Sequence, residues 1–317
     1  MKTLRAMLCW RVPLIFLLGV ATTRCQAQDL APRAYLITPR HANALTLTYS
    51  FYDGSILFDG TTPINDATAR VNVSVVSLSH SLDFFGRSAN FLVSLPYGVG
   101  NFRGKVVEAE TLAHRSGLLP VTLRFSVNLK GGPAMNLEEF ARWTQKTILG
   151  ASVKVLPPTG QYDPTKLINF GGNRWAVKPE LGYSRRWGHW ILDAYAGVWF
   201  FTTNSQFFSH NAFSPGKNTQ NQNPTGSFEG HLSYDFKPRL WISLDGNFWF
   251  GGTTSLNGVQ NPLTFQKNSR VGVTASIPLS KRQSIKISYN NGAYILYGGN
   301  YQNVSLGWQY SWIGRPD

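Results

Sequence analysis

Four side chains that could carry acid–base chemistry share one face of a predicted strand, "SFEGHLSYDF" at 227–236. They are Glu229, His231, Ser233 and Asp235, and residues two apart on a strand point to the same side. Such residues stand about 6.5 Å apart, too far for a nucleophile–base hydrogen bond without help from a neighbouring strand. The chain also lacks the paired Ser and His motifs expected of a barrel lipase. We therefore predict no catalytic residue and interpret these groups as a polar ladder.

Metal, cofactor and nucleotide sites are not predicted either. The six histidines, at 41, 80, 114, 189, 210 and 231, have no repeated ligand spacing. The glycine-containing stretch "GVGNFRGK" at 98–105 does not lead from a strand into a helix, as a nucleotide-binding loop would.

The N-terminal residues predict an export signal. Lys2, Arg5 and Arg11 precede or border the apolar run "VPLIFLLGVA" at 12–21, and a small residue follows at Ala27. The run is too short for a spanning helix, which needs about 20 apolar residues. We expect a signal peptide at 1–27, cleaved near Ala27.

Lipidation of Cys25 is the alternative to this cleavage. Acylation sites favour small, uncharged residues upstream, and Arg24 stands there instead. The other cysteine, Cys9, also lies in the signal peptide, so cleavage near Ala27 would leave a mature chain without a thiol.

The chain is basic, with a formal net charge of +14. Removing the signal peptide would leave 26 Lys and Arg against 16 Asp and Glu. Nucleic acid is the usual partner of a basic protein, but here the basic residues are scattered along an exported chain. A surface that faces water or anionic lipid headgroups is the better interpretation, and we predict no nucleic-acid partner.

Apolar and polar residues alternate over about twelve segments, which predicts β-strands with two unlike faces. The first runs from Ala44 to Tyr52, with Leu45, Leu47, Tyr49 and Phe51 on one face. In a second segment near 71–82 the alternation changes phase at Val75 and Val76, which predicts a β-bulge.

The connections alternate between short and long. Short ones are expected at 84–88, 186–189, 237–239 and 278–283, and a longer one with a small helix at 130–146. Long ones are expected at 53–68, 100–117, 158–173, 202–226, 252–267 and 291–300. Alternating strands of this kind predict an all-β fold: a transmembrane antiparallel up-and-down β-barrel of about twelve strands. An even strand count places both termini at the end with the short turns.

The polar face of the strands carries charges, and the apolar face ends in aromatic residues. Trp190, Phe200, Phe250, Tyr289 and Trp312 stand at strand ends, where membrane interfaces favour aromatics. We therefore expect lipid on the apolar side and a wet lumen on the polar side, with Leu244 facing lipid and Asp245 facing the lumen. The candidate lumen-lining residues are Arg124, Lys154, Lys178, Glu180, Asp193, Glu229, His231, Asp235, Asp245, Arg270 and Lys286.

These patterns divide the chain into four parts. The signal peptide at 1–27 is followed by an N-terminal periplasmic or lumenal segment at 28–43, a β-barrel at 44–312 and a short tail at 313–317. Residues 28–43 are apolar enough to lie in the lumen or along the barrel mouth, and the sequence does not decide between the two.

The last predicted strand resembles the terminal signal by which outer-membrane barrels are recognised for assembly. "SLGWQYSW" at 305–312 fits its spacing of polar residue, glycine and two aromatics, although five residues follow it. The resemblance implies contact with the barrel-assembly machinery and with outer-membrane lipid and lipopolysaccharide.

Three stretches resemble the outer-membrane family described as "putative MetA-pathway of phenol degradation". They are "DLAPRAYLITP" at 29–39, "LTLTYSFYDG" at 45–54 and "LPPTGQYDPTKLINFGGNRWAVKPELGYSRRWG" at 156–188. The resemblance implies a bacterial outer-membrane barrel that passes small solutes, aromatic or hydrophobic ones included. The loop in the third stretch is either a constriction folded into the lumen or a turn-rich support of the rim. The residues of the candidate constriction loop are Thr159, Gly160, Tyr162, Asp163, Asn169 and Asn173.

The predicted function is therefore passive passage of a small solute through an outer-membrane channel, without enzymatic activity or cofactor. The alternatives are a structural or binding barrel with a closed, salt-bridged lumen, and an outer-membrane hydrolase. Lumen packing would separate the first two, and the sequence does not reveal it.

Overall fold

The computed structural model of the protein describes residues 31–57, 64–106 and 109–314. The predicted signal peptide therefore lies outside the described residues. Twelve strands form the barrel wall: β1 (Ala42–Leu57), β2 (Ile64–Phe84), β3 (Arg87–Val106), β5 (Thr122–Lys130), β6 (Thr147–Leu156), β7 (Ala176–Trp187), β8 (Trp190–Phe201), β10 (Thr225–Lys237), β11 (Leu240–Gly251), β14 (Gln266–Pro278), β15 (Gln283–Ile295) and β16 (Gly298–Ile313).

Each of these strands pairs antiparallel with the next, and β16 pairs back onto β1, where Ala42 stands opposite Ile313. The ring is therefore closed, and the prediction of a twelve-stranded antiparallel barrel is confirmed. Closure removes the unpaired sheet edges that a hydrocarbon environment cannot satisfy.

Four further strands lie outside the ring. β4 (Ala109–Leu118) pairs with the C-terminal half of β3. Three residues after β4 ends, the chain begins β5. β9 (Gln220–Gln222), β12 (Thr254–Leu256) and β13 (Val259–Asn261) form a small sheet, followed by a 3₁₀ turn at Pro262–Thr264.

The barrel has one end with short turns and one end with long loops. At the short-turn end, strands are joined by residues 85–86, 188–189, 238–239 and 279–282. Helix α1 (Leu137–Arg142) lies in the connection 131–146 at the same end, closed by a capping box between Asn136 and Glu139. None of the helices in the described part of the chain combines the length and the apolar character needed to span a membrane.

Three of the expected long loops are mostly strand. β1 and β2 extend through most of 53–68, β3 and β4 through most of 100–117, and only residues 296–297 separate β15 from β16. These strands project beyond the apolar belt, and there the outward face becomes polar. The alternation expected of a lipid-facing strand is lost, although the hydrogen-bonded ladder continues.

The prediction of a bulge at Val75 and Val76 is wrong. The change of phase there also reflects a change in which face of the strand is apolar. The β1–β2 register is unbroken at these residues, and the only irregularity between β2 and β3 lies between Asn65 and Thr68. Near the short-turn end Val76 faces outward, half exposed, whereas near the long-loop end Val71 faces inward and is buried. The strand keeps its pleat, and only the polarity of its two faces is exchanged.

A belt of exposed apolar side chains surrounds the barrel. Every wall strand contributes at least one: Leu47, Val76, Leu95, Leu129, Val153, Leu181, Leu192, Leu232, Leu244, Val273, Ile287 and Leu306. Monomeric proteins surrounded by water rarely expose a continuous apolar surface of this extent. The belt is the lipid-facing surface, and Leu244, 62% exposed, lies in its middle.

Candidate functional site

The lumen contains an open cavity of about 1510 Å³. One side of it, which we call the hydroxyl wall, consists of serine and threonine side chains on six strands. The hydroxyl wall comprises Thr48, Ser50, Ser77, Ser79, Ser94, Thr122, Ser284, Ser288, Ser305 and Ser311. Neighbouring hydroxyls bond across the strands, as in Ser50–Ser305 and Ser77–Ser94, each with an Oγ–Oγ distance of 2.7 Å. Most side chains on this side of the lumen are small, polar and uncharged, with Lys286 on β15 as a charged exception.

The opposite side is filled by buried ionisable residues, which we call the charged cluster: Lys178, Glu180, Asp193, Glu229, His231 and Asp245. At its centre the Lys178 ammonium lies 2.6 Å from a Glu180 oxygen and 3.1 Å from a Glu229 oxygen. The side chains in both contacts are less than a tenth exposed, so their charges interact at low effective dielectric. The pleat explains the arrangement, because Lys178 and Glu180 are two apart on β7 and share a face.

Asp245 and His231 form the other half of the charged cluster. His231 Nδ1 lies 2.8 Å from Asp245 Oδ1, and the hydroxyls of Ser243 and Thr274 donate to the same carboxylate at 2.8 and 2.6 Å. The side chains of His231 and Ser233 are buried, 1% and 0% exposed. Neither side chain lines the open cavity.

The N-terminal segment, residues 31–41, enters the lumen from the short-turn end. Tyr35 packs on paired glycines of adjacent strands, Gly150 and Gly182. A Cβ atom at Gly150 would stand about 2.2 Å from the Tyr35 ring, and one at Gly182 about 2.1 Å from it. The two missing side chains therefore create a slot for this aromatic ring.

Hydrogen bonds fix Tyr35 in this slot. Its hydroxyl donates to Glu180 Oε1 at 3.0 Å and lies 3.0 Å from Ser152 Oγ. Burial, reinforced by the Glu180 carboxylate, raises the pKa of Tyr35 to about 12, so the hydroxyl keeps the proton that it donates. The segment thereby contacts the charged cluster directly.

Arg33 holds the same segment to a different part of the wall. Its guanidinium lies 2.7 Å from Asp235 Oδ1 and stacks 4.3 Å from the Trp241 ring centroid, and its backbone amide donates to Asp193 at 3.1 Å. Of the two positions that the sequence leaves open for these residues, the structure places 31–38 inside the lumen.

Replacing Gly182 by Val should expel Tyr35 from its slot and raise single-channel conductance severalfold, because the segment would leave the lumen. The matched control is Gly230→Val. Gly230 is also a glycine in mid-strand, but a Cβ there would meet nothing within 4 Å. A variant lacking residues 28–37 should conduct like Gly182→Val. Unchanged conductance in both would show that the segment does not limit flow.

All eleven candidate lumen residues point into the barrel, but they form four groups rather than one ladder. Six make up the charged cluster, and Arg124 adjoins it, 3.7 Å from Glu180. Asp235 lies near the short-turn end, between Arg33 and Arg186. Lys154 and Lys286 line the open cavity. Arg270 is buried near the long-loop end, where it stacks 4.0 Å from the Tyr301 ring and donates to Asn290.

The six residues of the candidate constriction loop mainly hold the loop 157–175 together. Thr159 Oγ1 accepts from the Val121 amide at 2.9 Å, and Tyr162 and Asn173 both bond to Asn204. Gly160 packs directly on Gly171, where a side chain would clash.

Asp163 and Asn169 close a tight turn within the same loop. The Asn169 side chain accepts from the Asp163 amide at 2.8 Å, and Asp163 accepts from Thr165. The Thr165 hydroxyl and then the Lys166 ammonium lower the pKa of Asp163 to about 2. These bonds shape the loop, and they leave other side chains to enter the lumen.

Phe170, Gly172 and Arg174 are the loop residues that line the cavity, and none of them was assigned to the lumen from the sequence. Phe170 is buried in an apolar cluster at the long-loop end, which we call the apolar vestibule: Ile56, Ala67, Val71, Val73, Phe102, Leu119 and Phe170. Gly98 makes room for the apolar vestibule, since a Cβ at this position would lie 2.8 Å from Leu119 Cδ1. The signal that could have found the vestibule is the inverted polarity of β2.

Within the described ranges, no group of three or more His, Cys, Asp or Glu residues could hold a metal ion. The ionisable groups of the lumen are instead bonded to one another or stacked on aromatic rings.

A family model described as "Putative MetA-pathway of phenol degradation" matches residues 53–293, well over half of the chain. Among solved structures, an outer membrane channel from Pseudomonas putida F1 superposes with a TM-score of 0.74 at 18% identity, covering 90% of this chain and 100% of that one. The β domain of the Bordetella autotransporter BrkA superposes with a TM-score of 0.48 at 13% identity, covering 85% and 99%. A variant of the TodX monoaromatic hydrocarbon channel gives 0.45 at 10% identity, covering 87% and 91%.

No curated protein sequence matches the chain. The likeness to the Pseudomonas channel extends over nearly all of both chains and concerns the fold, while the family match rests on the sequence itself. The chain therefore belongs to the "Putative MetA-pathway of phenol degradation" family and is an outer-membrane β-barrel.

Proposed function

We propose that the protein is a passive channel that lets a small, predominantly apolar solute cross the outer membrane. The observation that carries this proposal is the open cavity of about 1510 Å³, which runs beside a filled half of the same lumen. It extends from the apolar vestibule at the long-loop end to Trp143 and Lys281 at the short-turn end.

The apolar vestibule supports an apolar solute. Val73, Leu119 and Phe170 line the cavity at its outer end, and Tyr52 lines it beside them. An apolar or aromatic molecule gains free energy by leaving water for such a site, in proportion to the area that it buries.

The hydroxyl wall supports passage without tight binding. Serine and threonine hydroxyls can bond to one another when the lumen is empty and to water or a polar substituent when it is occupied. Glu180 and Glu229, the carboxylates of the charged cluster that line the cavity, are both paired with Lys178, which weakens their attraction for a solute.

A closed structural barrel is the second candidate, and the N-terminal segment favours it. With Arg33 and Tyr35 anchored in the lumen, the segment reduces the free cross-section. We infer that the remaining cavity still conducts, because its volume of about 1510 Å³ is that left with the segment in place.

We also propose that no lumen residue is catalytic, that the leader is cleaved near Ala27, and that assembly uses the barrel-assembly machinery. The last strand supports the assembly proposal, since "SLGWQYSW" lies wholly within β16. Lipopolysaccharide is then the lipid expected around the long-loop end of the belt.

Planar-bilayer recording of the mature protein tests the proposal. The wild type should give discrete conductance steps, with transient blockades when benzyl alcohol is added. Ser305→Trp should reduce the conductance severalfold by filling the cavity, whereas Leu306→Trp, the same change on the lipid face, should leave it unchanged. A wild type without steps would support the closed barrel instead.

A further inference from the structure

The excess positive charge of the protein is concentrated at the short-turn end. Nine exposed Lys and Arg side chains lie within a few residues of its connections: Arg87, Lys130, Arg142, Lys146, Arg185, Lys237, Arg239, Lys281 and Arg282. None of the nine pairs with a carboxylate in the part of the chain that the structure describes. This end therefore presents uncompensated cations.

The acidic side chains at the same end are mostly engaged elsewhere. Asp83 accepts from the Gly86 amide at 2.7 Å and pairs with Arg40, and Glu139 closes the capping box of α1. Glu138 remains as an exposed carboxylate beside Glu139. Among the described residues, these nine cations are therefore left without a carboxylate partner and are available to an anion from outside.

Three of these arginines face outward, each beside an aromatic side chain at the edge of the belt. Arg185 lies 6.0 Å from the Trp187 ring centroid, and Arg282 donates to the Tyr310 hydroxyl at 3.4 Å. The third is Arg87, which stands directly opposite Phe84 on β2. Aromatic rings settle at the level of lipid headgroups, so the guanidinium groups beside them lie at the level of the phosphates.

We propose that these three pairs, Arg87–Phe84, Arg185–Trp187 and Arg282–Tyr310, bind anionic phospholipid headgroups of the leaflet at the short-turn end. The guanidinium would hold the phosphate through paired, charge-assisted hydrogen bonds, while the ring packs against the glycerol and upper acyl chain. The pairs lie on β2–β3, β7 and β15–β16, so lipid is bound at three places around the barrel.

Native mass spectrometry of the detergent-solubilised mature protein, titrated with phosphatidylglycerol, tests this proposal. The wild type should bind phosphatidylglycerol more tightly than phosphatidylcholine. The triple variant Arg87→Gln, Arg185→Gln, Arg282→Gln should lose about tenfold or more in affinity for phosphatidylglycerol, since each basic residue near an anionic surface contributes measurably to binding.

The matched control removes three exposed cations from the other end: Arg103→Gln, Lys217→Gln, Lys267→Gln. It should bind phosphatidylglycerol like the wild type. Equal loss in both triple variants would mean that only net charge matters, and would overturn the proposal. Competition by free glycerol phosphate at similar concentration would overturn it too, by revealing a site for the free anion. If the first triple variant does not fold, the wild type alone provides the test. Equal binding of phosphatidylglycerol and phosphatidylcholine by the wild type would then overturn the proposal.

Discussion

Replacing Lys178 by Met is expected to destabilise the barrel by about 3–5 kcal/mol, because it leaves buried carboxylates without their cation. The Lys178 ammonium contacts both Glu180 and Glu229, and all three side chains are at most 6% exposed. Methionine fills a similar volume, so the loss reflects charge rather than a cavity. The measurement is the free energy of unfolding in urea, followed by the heat-modifiable migration of the folded barrel on a gel.

Two controls separate this effect from a general loss of charge. Lys166→Met removes an ammonium from an ion pair of similar length, 2.9 Å to Asp163, but one that is largely exposed. Its effect should stay below about 1 kcal/mol. The double variant Lys178→Met, Glu229→Gln should be less destabilised than the sum of the two single variants, since it restores charge balance. Additive effects would mean that the two groups are not coupled.

Leu244→Arg is expected to destabilise the barrel by about 2–4 kcal/mol and to impair its assembly, because it puts a charge at the middle of the lipid face. Leu244 stands between Leu232 on β10 and Val273 on β14, so both of its cross-strand partners are apolar. Urea unfolding and the folded fraction in outer-membrane preparations are the measurements.

The matched control is Ser288→Arg, which adds the same group to the hydroxyl wall. Ser288 faces the open cavity between Lys286 and Asn290, where water can solvate a guanidinium. It should fold normally and lower conductance. If Leu244→Arg folds normally and Ser288→Arg does not, the two faces of the barrel have been assigned the wrong way round.

The structure changes what is expected of Asp245, the neighbour of Leu244 on β11. The alternation places it in the lumen, where an exposed carboxylate would influence ion selectivity. In the structure it is 2% exposed and bonded to His231, Ser243 and Thr274. Asp245→Asn should therefore affect stability before it affects selectivity.

Alternation along the sequence predicts most of the barrel, because a strand between lipid and lumen must present unlike faces every second residue. Strand count, closure and the four short turns follow from it. The same reasoning fails at 53–68, 100–117 and 291–300. Those segments lie beyond the membrane, where nothing forces the outward face to be apolar.

The sequence by itself determined the fold and the identity of the lipid face, and it supplied eleven candidate lumen residues. Only the tertiary structure decided which of them meet. Lys178 and Glu229 are 51 residues apart, and their contact depends on the order and register of β7, β8 and β10 around the ring.

Tertiary structure also decided the position of the N-terminal segment and the clustering of charge. Tyr35 enters the lumen because two glycines, one on β6 and one on β7, are paired in register and leave a slot. The basic residues are scattered along the sequence but collect at one end, because an antiparallel meander returns to the same rim every second strand. Local alternation encodes the direction of each side chain, whereas its neighbours depend on long-range pairing that no local pattern contains.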